Sequence, residues 1–255
     1  MNAFLDRLRG ADPVLMLAIR SSRTADVVRI ARSTGHHAVM VDLEHSTMPL
    51  DVAASLCATA GDLGLFPFVR VQEREYGAIG RLLDCGAQGI IAPRVETAAE
   101  AATVARACRF APRGQRSQLA TVAQAGLRPT PAASLNPVLD DATVVQILIE
   151  TPAGVANADE IAAVDGVDML AFGANDFTAE LGVPGQYGDP RVTEAIAALG
   201  TACARYGKPL MVGGIPDPAL LGRLAPLGVC PLRLTGTDTD MLYAGAAARA
   251  ERFRT

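Results

Sequence analysis

Eight short apolar segments, five to eight residues long, recur along the chain, and Ala-rich segments with helical spacing lie between most of them. Continuous apolar strands are typical of parallel sheets that are covered by helices on both faces. We therefore predict eight parallel strands joined by helical crossovers, at VLMLAI (14–19), AVMVD (38–42), FPFVRV (66–71), GIIAP (89–93), TVVQILIE (143–150), VDMLAFG (167–173), PLMVGG (209–214) and CPLRL (230–234).

Eight strands that alternate with helices over this length predict a single (β/α)8 barrel domain spanning residues 1–255. An open doubly wound sheet is the alternative, but no GxGxxG turn follows any predicted strand. Two segments interrupt the alternation, the long 110–142 connection and the Gly/Pro-rich 181–190 loop. Connections as long as the first are usually functional or mobile in compact domains.

Composition and charge exclude some classes of binding partner. The net charge is −4 and no stripe of basic and aromatic residues is present, which argues against nucleic acid. The N-terminus has no apolar signal core and no apolar run has the length of a membrane span, so we expect a cytoplasmic protein with no membrane partner. Five widely spaced cysteines without a CxxC pair are expected to be reduced thiols that mostly fill the core: Cys57, Cys85, Cys108, Cys203 and Cys230.

In barrels of this type the active site forms at the C-terminal ends of the strands. His36, His37 and Lys208 precede their strands, so we place them at the opposite, stability-related end. The polar and glycine residues that end or follow a predicted strand are Asp42, Glu44, His45, Arg70, Arg94, Glu96, Glu150, Asn175, Asp176, Gly213 and Gly214.

The scarcity of lysine constrains the mechanism. Lys208 is the only lysine in the chain, and a Schiff-base enzyme needs an amine at the catalytic end. Glu150 and Asp176 follow adjacent strands and form a candidate pair of carboxylate ligands for one hard divalent ion such as Mg²⁺ or Mn²⁺. Taken singly, each has an ordinary alternative, since Asp176 suits a helix cap and Glu150 a solvated loop. Their convergence at one end of the barrel favours a functional site.

Six segments in the same order resemble the HpcH/HpaI aldolase family, the metal-dependent class II pyruvate aldolases typified by 4-hydroxy-2-oxoheptanedioate aldolase. The matching segments span most of the chain, so the resemblance is specific. They are VDLEHS (41–46), FVRV (68–71), RLLDCGAQGIIAPRVETAAEA (81–101), IETPAGVANADEI (149–161), GVDMLAFGANDFTAELG (166–182) and TGTDTDML (235–242).

The resemblance implies a role for each matching site residue. Glu150 and Asp176 would hold the divalent metal (Mg²⁺, Mn²⁺ or Co²⁺), which chelates a pyruvate unit. Arg70 would bind the C2 oxygen of that unit and stabilise the enolate. His45, oriented by Asp42 through a hydrogen bond, would take the proton of the C4 hydroxyl.

Further positions complete the implied site. Backbone N–H groups near Gly173 and Ala174, with Asn175 beside them, would hold the pyruvate carboxylate. Glu44 would either contact the water ligands of the metal or have only a structural role. Asp84 lies in a segment that is near a subunit contact in relatives, and an acid at a helix C-terminus is its alternative interpretation.

The chain also departs from the family pattern. It has no tryptophan near the end of the first strand, and Leu148 stands where many relatives have glutamine, with Gln146 one pleat deeper. GAND (173–176) replaces GPND, and GQRS (114–117) replaces a Gly-x-Arg-Gly pattern. Because of these departures, the resemblance does not identify the aldehyde that the enzyme accepts. The family further implies a homo-oligomer, a hexamer or trimer of dimers, with the C-terminal segment MLYAGAAARAERF (241–253) as a candidate contact.

We therefore predict reversible cleavage of a 4-hydroxy-2-oxoacid into pyruvate or hydroxypyruvate and an aldehyde. The nearest alternative is a citrate lyase-like acyl-CoA lyase, for which the long connection offers only Arg113, Arg116 and Arg128 as phosphate partners. An isomerase-type barrel that binds phosphate at Gly213-Gly214 is a second alternative. A binding subunit without catalysis is a third, and it would not need a metal pair together with a base.

Overall fold

The computed structural model of the chain describes residues 2–254, and within them all eight predicted strands are present. The strand boundaries agree with the predicted ones to within three residues. The strands are β1 (Val14–Ile19), β2 (Ala38–Asp42), β3 (Phe66–Arg70), β4 (Gly89–Ala92), β5 (Val144–Ile149), β6 (Met169–Gly173), β7 (Leu210–Gly213) and β8 (Leu232–Thr237).

The strands are all parallel and follow the order β7-β6-β5-β4-β3-β2-β1-β8. β7 and β8 approach each other through a bridge between Leu210 and Val229, with Cys230 N donating to Leu210 O at 2.7 Å. The sheet is therefore a nearly closed barrel, and the (β/α)8 prediction is confirmed. Consecutive strand order around a ring excludes the doubly wound alternative.

Helices connect the strands on the outside of the barrel. Several begin with side-chain caps that the sequence indicates, such as Thr151 and Pro152, where Thr151 Oγ1 accepts from Gly154 N at 3.1 Å. The helices are α1 (Ala3–Arg7), α2 (Asp26–Ser33), α3 (Leu50–Asp62), α4 (Ile79–Asp84), α5 (Ala98–Cys108), α6 (Ala132–Ala142), α7 (Pro152–Ala156), α8 (Ala158–Ala163), α9 (Ala174–Glu180), α10 (Pro190–Arg205), α11 (Pro218–Leu224) and α12 (Asp238–Arg252).

The hydrophobic core has two layers, because successive strand residues point alternately into the barrel and toward the helices. The inner layer contains large side chains such as Met16, Met40 and Phe68. α1 closes the N-terminal end of the barrel, where Phe4 stacks on Phe66 at a ring-centroid distance of 4.3 Å. The interior is therefore accessible from the C-terminal end, where the strand-end residues lie.

The long 110–142 connection packs at the N-terminal end of the barrel, away from those residues. Asn2 Nδ2 donates to Asp141 O at 3.0 Å, and Gln124 Nε2 donates to Ala87 O at 3.1 Å, just before β4. The segment has its own small core of Phe110, Val122, Leu135 and Leu139. Its length therefore serves packing at the end of the barrel opposite the strand-end residues.

Two further expectations concern the chain as a whole. Four of the five cysteines are buried, and Cys85 is exposed, which agrees with a role mostly as core filler. Within residues 2–254, the structure contains no helix with both the length and the apolar character of a membrane span.

Candidate active site

A buried ion pair joins the ends of β2 and β3. Asp42 and Arg70 are partners in the strand ladder, and Arg70 donates from Nε to Asp42 Oδ1 at 3.0 Å and from Nη2 to Oδ2 at 2.6 Å. Arg20, directly after β1, donates from Nε to the same Oδ2 at 2.7 Å. Burial raises the pKa of the Asp42 carboxyl, but the hydrogen bonds and charge of Arg70 and the hydrogen bond of Arg20 outweigh it and lower the pKa to about 2.

Asp42 also fixes the loop that follows β2. Its Oδ1 accepts from the backbone N of Glu44 at 3.1 Å and of His45 at 3.3 Å. The carboxylate is fully buried, and two guanidinium groups and two amides surround it. Asp42 therefore sets the backbone of the loop that carries His45.

The predicted hydrogen bond between Asp42 and the imidazole of His45 is absent among the described residues. The ring Nε2 of His45 instead lies 3.6 Å from Glu44 Oε2, and Glu44 Oε2 lies 2.9 Å from Arg70 Nη1. The acceptor positions of Asp42 are already used by the arginines and the backbone, which explains the difference. Glu44 thus lies between the histidine and the buried arginine.

Glu150 follows β5 and is buried, with 3% of its surface exposed. Its Oε1 accepts from the backbone N of Arg94 at 2.9 Å, and Arg94 has a φ of +50°. Burial raises the pKa of the Glu150 carboxyl to about 8, with further contributions from the negative charges of Asp176 and Glu44. A buried carboxyl beside two other carboxylates is a position where a cation would be strongly favoured.

Gly173, at the end of β6, leaves the space that Glu150 occupies. A Cβ atom at Gly173 would lie 2.5 Å from Glu150 Oε2 and 2.8 Å from its Cβ. Gly173 also precedes α9, whose first turn has no side-chain cap and contains Ala174, Asn175 and Asp176. Asp176 therefore lies in the first turn and does not cap the helix.

Asn175 and the β7 glycines shape the adjoining edge of the site. The Tyr187 hydroxyl, from the 181–190 loop, donates to Asn175 Oδ1 at 2.6 Å. Gly214 has a φ of +84°, and a Cβ there would lie 3.2 Å from Asn175 N. Gly214 therefore provides room for Asn175, a packing role that accounts for this glycine without a phosphate.

Arg70, Glu150, Gly173 and Asn175 line one cavity of about 120 Å³ that opens at the C-terminal end of the barrel, whereas Asp42, Glu44 and His45 lie outside its lining. Its floor is apolar and includes Leu148, at the position where many relatives carry glutamine. Gln146 lies below, with Nε2 donating to Met211 Sδ at 3.4 Å. The polar residues that line the upper part are Arg20, Arg70, Glu150, Asn175 and Asp176.

The donor set fits a hard divalent cation with two protein ligands. Among residues 2–254, no group of three or more His, Cys, Asp or Glu side chains is arranged to hold a metal ion. Mg²⁺ and similar ions are commonly bound through one or two carboxylates, with water and substrate oxygens completing the shell. Glu150 and Asp176 provide such a pair. Burial and the negative charges of Asp176 and Glu44 raise the pKa of Glu150, and a bound cation would favour its ionised form.

The remaining sequence candidates lie elsewhere. Lys208 donates from Nζ to Val164 O at 2.8 Å, at the N-terminal end of the barrel, so the only lysine is not at the site. His36 and His37 are at that end too, where His37 Nδ1 accepts from Leu15 N at 3.1 Å. All three lie at the N-terminal end of the barrel, as predicted.

Two arginines outside the cavity, Arg94 and Arg116, are engaged in ion pairs. Arg94 Nη2 lies 2.9 Å from Glu180 Oε1. Arg116 is buried, lies 2.8 Å from Asp84 Oδ1 and stacks on the ring of Phe110 at 4.5 Å. Arg116 is therefore unavailable to the phosphates of CoA. Asp84 has a defined partner within the chain.

Arg20 is the cavity residue that the sequence interpretation missed. It follows β1 directly, so the strand-end rule applied to the first strand identifies it in the same way as Arg70.

The profile of the family described as HpcH/HpaI aldolase/citrate lyase matches residues 16–211 of the chain. Over 237 residues the chain is 41% identical to the 4-hydroxy-4-methyl-2-oxoglutarate aldolase tasA of Hapsidospora irregularis, covering 90% of this chain and 86% of the relative. It is 33% identical to a hydroxypyruvate/pyruvate aldolase of Cupriavidus necator, covering 92% and 86%. The crystal structure of an HpcH/HpaI aldolase from Desulfitobacterium hafniense superposes with a TM-score of 0.90 and 26% identity, covering 100% of this chain and 97% of that one.

Proposed function

The chain belongs to the HpcH/HpaI aldolase/citrate lyase family, and we propose that it is an aldehyde-lyase that reversibly cleaves a 4-hydroxy-2-oxoacid into pyruvate, or hydroxypyruvate, and a carbonyl compound. Of the relatives reported above, one is named for a 4-hydroxy-2-oxoacid and the other for hydroxypyruvate and pyruvate. The observation that carries the proposal is the convergence of Glu150, Asp176 and Arg70 on one cavity.

The resident cofactor in this proposal is a divalent cation, Mg²⁺, Mn²⁺ or Co²⁺, held by Glu150 and Asp176. When bound, it supplies a Lewis acid for the carboxylate and the C2 oxygen of the oxoacid. Arg70 donates a hydrogen bond to the same C2 oxygen, where negative charge develops as the C3–C4 bond breaks. Asp42 and Glu44 hold the guanidinium in place, so it stabilises this charge without reorganising.

His45 is the general base in this proposal. It takes the proton of the C4 hydroxyl while the C4 carbonyl forms and the electrons of the C3–C4 bond move into the enolate. Its ring is half exposed, on the loop that Asp42 fixes, and lies next to Glu44, which contacts Arg70 of the cavity. Glu44, 3.6 Å from the ring, orients it and stabilises the positive charge that it gains.

The start of α9 binds the carboxylate of the pyruvate unit. Because no side chain caps this helix, the first backbone N–H groups, at Ala174 and Asn175, are available to an anion. Gly173 allows the chain to pass close to Glu150, which brings this carboxylate position next to the metal ligands.

The protein acts as a homo-oligomer in this proposal. Only Asp238 of the 15-residue helix α12 is buried, although the eighth helix of a barrel normally packs on the outside of the strands. Leu242 and Tyr243 are 73% and 77% exposed. A second copy of the chain would cover these apolar side chains.

The test is a pyruvate-release assay with 4-hydroxy-4-methyl-2-oxoglutarate and 4-hydroxy-2-oxopentanoate. Pyruvate release should cease in EDTA and return with Mg²⁺, Mn²⁺ or Co²⁺, and Glu150→Gln should not recover with any of them. Glu180→Gln, which removes a carboxylate paired with Arg94, is the matched control and should respond to metal like the wild type. Release that persists in EDTA, or a borohydride-trapped adduct at Lys208, would contradict the metal mechanism.

A further inference from the structure

Arg20 occupies a fixed position at the rim of the cavity. Its backbone N donates to Asp238 Oδ1 at 2.9 Å, and its carbonyl oxygen accepts from Arg23 Nη1 at 3.0 Å. Its side chain is held by one hydrogen bond, from Nε to Asp42 Oδ2. These three contacts define where the guanidinium group lies.

The terminal nitrogens of Arg20 are free to bind a ligand. Within residues 2–254, neither Nη1 nor Nη2 of Arg20 makes a hydrogen bond, whereas Arg70 directs three of its five N–H groups at Asp42 and Glu44. The Arg20 side chain lines the cavity and is 36% exposed. A planar guanidinium with two free terminal nitrogens is a geometry that recognises a carboxylate.

The barrel places this group opposite the metal ligands. Arg20 follows β1 and Glu150 follows β5, and these two strands lie on opposite sides of an eight-stranded ring. Arg70, on β3, lies between them and shares Asp42 Oδ2 with Arg20. A 4-hydroxy-2-oxoacid with its C1 and C2 oxygens at Glu150 and Asp176 would therefore extend its C4 end across the mouth toward Arg20.

We propose that Arg20 binds a carboxylate on the C4 side of the substrate, so that the substrate is a dicarboxylic 4-hydroxy-2-oxoacid and the released carbonyl compound is itself an acid. This inference rests on the proposed aldolase function. It adds the residue that selects the C4-side carboxylate; the substrate in the name of the Hapsidospora irregularis relative, 4-hydroxy-4-methyl-2-oxoglutarate, is a dicarboxylate of this class. Asp42 already accepts two hydrogen bonds from Arg70 and two from backbone amides, so stabilising Asp42 does not by itself require a second arginine at the rim.

The test uses two substrates that differ only at C5, 4-hydroxy-2-oxoglutarate with a carboxylate and 4-hydroxy-2-oxopentanoate with a methyl group. The wild type should prefer the dicarboxylate in kcat/KM. Arg20→Gln should lower that preference by about ten- to hundredfold, the range expected for hydrogen bonds to a charged group, and mainly through KM for the dicarboxylate. Arg20→Lys should restore part of the preference. If Arg20 only positioned Asp42, Arg20→Gln would lower kcat/KM equally for both substrates.

The matched control is Arg94→Gln, which removes a positive charge near the same mouth from a side chain that Glu180 already pairs. Its substrate preference should equal that of the wild type, and thermal denaturation should show that all variants fold. An unchanged preference in Arg20→Gln, or a wild type without preference, would overturn the proposal.

A separate measurement distinguishes failure of the inference from failure of the proposed function. Exchange of the C3 protons of pyruvate in D2O with Mg²⁺, followed by NMR, reports enolisation without any acceptor. If the wild type exchanges these protons and Arg20→Gln leaves the substrate preference unchanged, only the role of Arg20 is rejected. A wild type that neither exchanges these protons nor cleaves either substrate would reject the aldolase function and this inference together.

Discussion

Asp42 and Arg70 face each other at the ends of β2 and β3 and form a bidentate ion pair, with N···O distances of 3.0 and 2.6 Å. The pair connects two parts of the proposed chemistry. Arg70 lines the cavity, while Asp42 accepts from the backbone amides of the loop that carries His45. A change at Asp42 is therefore expected to affect both the arginine and the loop.

Asp42→Asn should lower the free energy of unfolding by about 3 kcal/mol, since removing one partner of a buried pair leaves the other charge uncompensated. Urea denaturation at neutral pH measures the loss. Because the folded protein lowers the pKa of Asp42 from 3.8 to about 2, the ionised form stabilises the fold fully above pH 3.8. This contribution disappears as the pH falls through 2, so wild type and variant should converge in stability there.

The exposed pair of Asp26 and Arg29 provides the control for that prediction. Asp26→Asn removes a carboxylate of the same type from a solvated position, and its effect on the free energy of unfolding should be much smaller. An equal loss in both variants would contradict the importance assigned to the buried pair.

Gly173→Ala should weaken Mn²⁺ binding although Gly173 is not itself a proposed ligand. The new Cβ would lie 2.5 Å from Glu150 Oε2, so the carboxylate must move out of its position. Isothermal titration calorimetry with Mn²⁺ measures the effect, and overpacking should also cost about 1–3 kcal/mol of stability. Gly213→Ala is the matched control, because its Cβ would meet only Phe172 O, at 3.9 Å. Equal Mn²⁺ affinity in the two variants would reject the role of Gly173.

Metal affinity should rise with pH up to about pH 8, the pKa of Glu150 in the metal-free protein. Below this pH the metal must displace a proton, so affinity should fall by roughly tenfold per pH unit, and above it affinity should level off. Calorimetry in two buffers of different ionisation enthalpy should detect the release of about one proton at neutral pH. Affinity independent of pH below 8 would show that Glu150 is already ionised or is not a ligand.

His45→Gln should lower kcat for cleavage by about 10²–10⁴-fold, the usual contribution of a general base. Mn²⁺ affinity should stay at the wild-type value, because the carboxylate next to the His45 ring, at 3.6 Å, belongs to Glu44, which is not a proposed metal ligand. His37→Gln, at the opposite end of the barrel, should keep wild-type turnover and serves as the control. Wild-type kinetics in His45→Gln would remove this residue as the base.

The sequence predicts the strands well because continuous apolar runs identify buried parallel strands. The strand-end rule then places Arg70, Glu150 and Asp176 at one end of the barrel, where they line one cavity. It does not predict strand register or side-chain direction. Asp42 and His45 are three residues apart, which suggested a side-chain hydrogen bond. The structure pairs Asp42 with a ladder neighbour 28 residues away instead.

The long 110–142 segment shows the same limit. Its length alone predicts a functional or mobile loop, yet hydrogen bonds from Asn2 to Asp141 O and from Gln124 to Ala87 O hold it at the N-terminal end of the barrel. The alternation of apolar and polar residues within it is too irregular to show which end it covers. Placement of such a segment depends on contacts between residues distant in sequence, such as that of Arg116 with Asp84.

The exposed helix α12 leads to a prediction about assembly. Leu242 and Tyr243 are large apolar side chains that are 73% and 77% exposed within one copy of the chain. If a second copy covers them, Leu242→Glu with Tyr243→Glu should shift the native mass, measured by light scattering, toward that of the 26.5 kDa monomer.

Leu127→Glu is the control for this shift. Leu127 is 66% exposed on the long connection, at the N-terminal end of the barrel, so an added charge there should leave the native mass unchanged. The unfolding temperature of the wild type should rise with protein concentration, because association stabilises the folded chain, whereas that of the double variant should be lower and independent of concentration. A wild type that is monomeric at micromolar concentration, or a double variant that keeps the wild-type mass, would contradict assembly through α12.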